Sequence, residues 1–199
     1  SSPSICDLQE KFRERIHEFP RVITTTQKML RASQILNIPV FATTQRRDKL
    51  GHTCEELGLD APGGVVPRVH CDKSRFSMWE PAVQRAMAAL DPNEPQPPPR
   101  QIAIVGIESH VCVTQTTLDL LHAGHAVYVI ADGVSSCNAR EVPVALERLR
   151  VAGAVVTTSE AWLFECMGDA GIAEFREMSA LVKEYSKQTG ESLQALCRF

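Results

Sequence analysis

The stretch Gln101–Ser136, QIAIVGIESHVCVTQTTLDLLHAGHAVYVIADGVSS, decides the fold class. It opens on a nearly continuous apolar run, Gln101–Ile107, as expected of a strand covered on both faces. Ser109–Ala123 follows with helical periodicity and stops at Gly124, and Ala126–Ala131 is a second buried run. A strand, a helix and a strand in succession imply parallel pairing through a right-handed crossover.

The same alternation extends in both directions. Downstream, Glu141–Ala152 reads as a helix ended by Gly153 and Ala154–Thr158 as a strand. Ser159–Met167 is a helix with Ser159 as its expected cap, and Phe175–Tyr185 is the last amphipathic helix. Upstream, Ser4–Asp7 is the end of a short strand, and Pro20 opens a helix that leaves at Asn37. Ile38–Thr44 is a β-type run. Gly51–Pro67 is punctuated by glycine and proline, with one helical turn near Thr53–Leu57. Val65–Cys71 is a third strand interrupted by Pro67, and Glu80–Leu90 is an alanine-rich helix. The proline-rich Asp91–Arg100 reads as a surface crossover. About six strands result, giving an α/β fold with a parallel sheet between two helical layers. Residues 1–199 read as a single domain, with a core of about 5–168 and a C-terminal helical extension, 169–199.

Composition narrows the function classes. The 199 residues are 44% hydrophobic and 23% charged, with a formal net charge of −3. Wholesale disorder is excluded, no apolar run approaches a membrane span, and a dedicated nucleic-acid binder is not expected. The charge is uneven: residues 1–50 carry nine Lys/Arg against five Asp/Glu. That basic quarter is the one feature favouring a nuclease. Seven cysteines, an odd number without CxxC spacing, point to reduced thiols rather than a disulfide framework. The expected compartment is the cytoplasm, or else the mitochondrion or another reducing compartment. The N-terminal stretch is too short and polar for a signal peptide, and the chain starts without Met. There is no GxGxxG and no Walker loop, so no cofactor is expected.

In a doubly wound sheet, ligands bind beyond the carboxyl ends of the strands where strand order reverses. Three side chains near such ends carry chemistry. Cys112 lies at the start of the helix after a buried strand, where free N–H groups and the helix dipole favour a thiolate; a buried structural thiol is the competing reading. Asp7 ends an apolar strand, where a carboxylate needs a partner or a task, and it also suits a cap. Lys73, after the third apolar run, is either a buried counter-charge or a solvated loop lysine.

Together these positions resemble the isochorismatase-like cysteine hydrolases, and most closely the isochorismatase domain-containing proteins. The carrying segments are ICDLQEKF (5–12), DKSRFS (72–77), GIESHVCVTQTTLDLLHAGHAVYVIADGVSS (106–136) and ALERLRVAGAVVTTSE (145–160). The resemblance implies the strand order 3-2-1-4-5-6 and an Asp–Lys–Cys triad at Asp7, Lys73 and Cys112. It also implies a non-proline cis peptide between Ile107 and Glu108, with the Glu108 and Cys112 amides forming an oxyanion hole. The implied chemistry is hydrolysis of a C–N bond in a small amide- or imide-like substrate through a Cys112 thioester. Phe12, Gln45, Phe76 and Trp79 are the candidates for lining the pocket, and self-association is expected. The metal motif of the nicotinamidases, Asp-x-His after the second strand, is absent from Thr43–Lys49, so no metal is expected. His52, Cys54, His70 and Cys71 have zinc-binding side chains without diagnostic spacing. The rival expectation is an inactive interaction or scaffold protein on the same fold.

Overall fold

The computed structural model describes residues 1–59, 61–94 and 98–197. Six parallel strands form one sheet: β1 (Ser2–Cys6), β2 (Phe41–Gln45), β3 (Val69–Lys73), β4 (Gln101–Ile107), β5 (Ala126–Ser135) and β6 (Val155–Thr157). Their order is β3-β2-β1-β4-β5-β6, so the switch point lies between β1 and β4. The helices are α1 (Phe19–Ile35), the short α2 (Arg47–Leu50), α3 (Pro81–Ala88), α4 (Thr114–His122), α5 (Glu141–Val151), α6 (Ser159–Met167), α7 (Phe175–Glu184) and α8 (Ser186–Leu196). Among the described residues, no helix is long and apolar enough to cross a membrane.

Alternation along the strands builds two cores. On β4, Ala103, Val105 and Ile107 face a layer containing Phe19, Met29, Trp162 and Met178. Ile102 and Ile104 face the other way, with Val83, Leu120 and Leu146. This period of two on a fully covered strand explains why β4 reads as one apolar run.

Several boundaries differ from the sequence reading. β3 starts at Val69 rather than Val65, because Pro67 cannot donate to the ladder, and it ends on Lys73. β5 runs to Ser135, with a register irregularity opposite Ile104–Gly106. The helix expected from Ser109 begins instead as a wide π-type turn, Ser109–Val113, with α4 proper from Thr114. Thr158, not Ser159, caps α6: its hydroxyl accepts from Ala161 N, while Ser159 bonds the buried Asp132 through both N and Oγ. Phe175–Glu184 is followed by α8, which packs on α1 and β5. Residues 95–97 of the expected crossover lie outside the described residues.

The switch point is tightly closed. Gly106, opposite Cys6 in the β1–β4 ladder, has φ +119°. A Cβ there would stand 2.1 Å from the Cys6 carbonyl oxygen. Gly106→Ala is therefore expected to cost about 2–4 kcal/mol, through the positive φ and the backbone clash together. A urea midpoint equal to that of the parent protein would refute this.

Candidate active site

Asp7 follows β1 with φ +53°, in the left-handed region that Asp tolerates better than most residues. The carboxylate is buried at 1% exposure and is engaged on both oxygens. Thr43 Oγ1 donates to Oδ1 at 2.8 Å. Lys73 Nζ donates to Oδ2 at 2.6 Å.

Lys73 is 4% exposed, and its remaining donors are also satisfied. Its ammonium donates to Gln45 Oε1 at 2.7 Å and to the carbonyls of Phe76 at 2.9 Å and Arg75 at 3.2 Å. Burial alone would lower its pKa, but the facing groups Cys6, Asp7 and Cys112 outweigh it and hold the ammonium above the ordinary lysine value. Gln45 is fixed in turn: its amide N–H donates to Gln9 Oε1 at 2.7 Å and its Nε2 to the Ser74 carbonyl at 2.9 Å. Gln9, fully buried, also donates to the Gln45 carbonyl at 3.1 Å and to the Gly51 carbonyl at 2.7 Å. The carboxyl ends of β1, β2 and β3 are thus locked around one cation.

Cys112 lies in the wide turn after β4 and is 7% exposed. Its sulfur, the Cys6 sulfur and an Asp7 carboxylate oxygen all lie within 4.8 Å of one another. Cys6 Sγ donates to Asp7 Oδ2 at 3.6 Å. Burial, the hydrogen bond with Cys112 and the charge of Asp7 push the Cys6 thiol well above its ordinary pKa, against the opposing pull of Lys73. The Ile107–Glu108 peptide is cis. The Glu108 carbonyl accepts from the N–H groups of Val111 and Val113, both at 3.1 Å, and its carboxylate accepts from Cys137 N at 2.8 Å.

Asp7, Lys73, Cys112 and Gln45 therefore come together. The other lining candidates are placed differently. Phe76 contributes its carbonyl to Lys73, while the residue is 49% exposed. Trp79 meets His125 edge-on at 5.2 Å, and His125 precedes β5, at the end of the sheet opposite Asp7, Lys73 and Cys112. Phe12 packs at the margin of the first core and lines a surface cleft with Lys11, Lys49 and Leu50. Among the described residues, His52, His70 and Cys71 join no cluster of three donor groups. Cys54 gathers with Glu10 and Glu56, both of which pair with Arg13, and its thiol is pushed up to about 12, mainly by burial.

Sequence reasoning missed Thr43, Gln9 and Cys6. Thr43 and Gln45 carried a signal, as polar residues following the apolar start of FATTQ, and all five positions of β2 are buried. Gln9 and Cys6 carried only their proximity to Asp7.

An isochorismatase domain matches residues 5–161. The secreted isochorismatase effector Isc1 of Phytophthora sojae is 41% identical over 183 residues, covering 92% of this chain and 84% of that protein. Human isochorismatase domain-containing protein 2 is 37% identical over 186 residues, covering 94% and 84%. The structure of MAR1 ribonuclease from Caenorhabditis elegans superposes with a TM-score of 0.80 at 38% identity, covering 92% of this chain and 88% of that one. With a matching domain over most of its length and relatives above one-third identity, this chain belongs to the isochorismatase family.

Proposed function

We propose that the protein is a cysteine hydrolase that cleaves a C–N bond of a small amide- or imide-like substrate through a thioester on Cys112. The observation that carries this reading is the meeting of the Cys112 sulfur with a buried, Lys73-paired Asp7 carboxylate. Asp7 takes the thiol proton, and Lys73 holds the site in its charged form. The sulfur attacks the carbonyl, and the Glu108 and Cys112 N–H groups receive the oxyanion. Asp7 then gives its proton to the leaving nitrogen. Water, deprotonated by Asp7, attacks the thioester carbonyl and releases the acid and the free sulfur. No metal takes part in any of these steps. Gln45 is a positioning residue, because it touches Lys73 and fixes the end of β2.

The low exposure of all three groups favours a small substrate over a polymer. The C. elegans protein's name supplies a different class, RNA, and the test includes it. Homo-oligomerisation is also proposed, with Val144 and Val151 of α5 and Val155 of β6 offering exposed apolar contacts; sedimentation of the purified chain at monomer mass across micromolar concentrations would remove it.

Screening a panel of small amides and imides with hydroxylamine present should yield a hydroxamate and, on quenching, an acyl adduct on Cys112. Cys112→Ala should lower turnover at least about a thousandfold without loss of fold. Unchanged turnover in that variant would defeat the mechanism, and Cys112-dependent RNA cleavage without amide turnover would replace the substrate class.

Lys73→Met should cost about 3–5 kcal/mol by leaving Asp7 buried and unpaired, with much of the loss recovered in Asp7→Asn/Lys73→Met. Because the folded lysine titrates above its unfolded value, the parent's advantage over Lys73→Met is complete below about pH 10.4 and is lost as pH rises through the higher folded value. Urea melts across that interval read the difference, and a gap that widened with pH would contradict the assignment.

A further inference from the structure

Cys6 is a buried thiol that the proposed reaction does not use, yet it stands inside the reacting site. Alternation along β1 sends Ile5 into the core beneath α1 and Cys6 into the opposite core, where Cys112 and Val113 also lie. Its backbone is pressed against Gly106, its partner in β4. The chain needs only six residues from that point to reach Cys112. The two sulfurs are within 4.8 Å, and the Cys6 thiol already points its hydrogen at Asp7. We infer that Cys6 is a resolving thiol, closing a reversible disulfide with Cys112 when a peroxide oxidises that sulfur. This rests on the reading of Cys112 as the ionised nucleophile.

The chemistry balances with a hydroperoxide as oxidant. The Cys112 sulfur, its proton already on Asp7, attacks one peroxide oxygen; an S–O bond forms, the O–O bond breaks, and the leaving hydroxide or alkoxide takes that proton from Asp7, which is then free to accept another. Sulfur loses two electrons and the peroxide gains them. Cys6 next passes its proton to Asp7, and its sulfur attacks the Cys112 sulfur. The S–S bond forms, the S–O bond breaks, and hydroxide departs as water with the proton from Asp7. Burial keeps Cys6 a thiol, so the first oxidation falls on Cys112. Closure to a bond of about 2.05 Å draws together two sulfurs that already lie within 4.8 Å. The disulfide would spare the nucleophile from irreversible over-oxidation while switching it off.

The chain is treated with hydrogen peroxide, digested without reduction and mapped by mass spectrometry. The expected product is a peptide pair joined through Cys6 and Cys112, with iodoacetamide labelling of Cys112 lost and then restored by dithiothreitol. In Cys6→Ser, which keeps a hydroxyl for Asp7, Cys112 should accumulate as dimedone-reactive sulfenic acid and pass to sulfinic acid. Dithiothreitol should then recover at least about fivefold less labelling than in the parent. Cys6→Ala repeats the comparison without a donor, and the cross-link in the parent protein decides the matter if neither variant folds. Rapid labelling of Cys112 before peroxide, followed by sulfinic acid and no cross-link, would overturn the inference and leave the nucleophile standing. A Cys112 that neither labels nor oxidises would overturn both.

Discussion

The pair between Lys73 Nζ and Asp7 Oδ2, 2.6 Å long and closed to solvent, is the constraint on which the site depends. Removing two charges from water is costly, and their mutual attraction offsets this only when every remaining donor and acceptor is also met. Thr43, Gln45 and two loop carbonyls meet them. β2 lies between β1 and β3 and brings its own polar residues to the gap that the pair must bridge. Gln9 then ties the loop after β1 to the end of β2. The polar network and the sheet order thus specify each other: the ion pair needs β2 in the middle, and the end of β2 carries residues suited to little else.

What could be read in advance follows the strength of the local signal. β4, α1 and α5 were legible because burial on both faces, or on one stripe, writes an unambiguous pattern. β3 was misplaced because an apolar run and a proline gave conflicting signals, and backbone hydrogen bonding prevailed. α8 lies within the expected helical extension but does not stand out as a separate helix in the sequence, because SKQTGESLQAL is largely polar. Its partner Lys28 was missed for the complementary reason, being a charge on the buried face of α1. There its ammonium donates to Thr189 Oγ1 at 2.8 Å, and burial lowers its pKa against the pull of Asp132 and Glu160.

The site was legible to a different degree. Asp7, Lys73 and Cys112 each had an ordinary alternative, and the spacing of single residues could not choose between readings. Only the resemblance across four segments brought them together. The structure adds the groups that make the arrangement physically tenable, above all Thr43 and Gln45, whose importance lies in contacts across strands. Trp79 illustrates the opposite failure. It is near Lys73 in the chain, but its ring meets His125 at the far end of the sheet, because the segment after β3 runs back down the molecule.

The carboxylate, the ammonium and the sulfur stand at positions 7, 73 and 112, and the strand before the first of them is hydrogen-bonded on both sides by later ones. No contiguous fragment shorter than about half the chain contains all three. During synthesis Cys112 is therefore the last of the three to emerge, and the central strand β1 stays unpaired on one side until β4 arrives. The three side chains cannot meet on the nascent chain until β4 has joined the sheet.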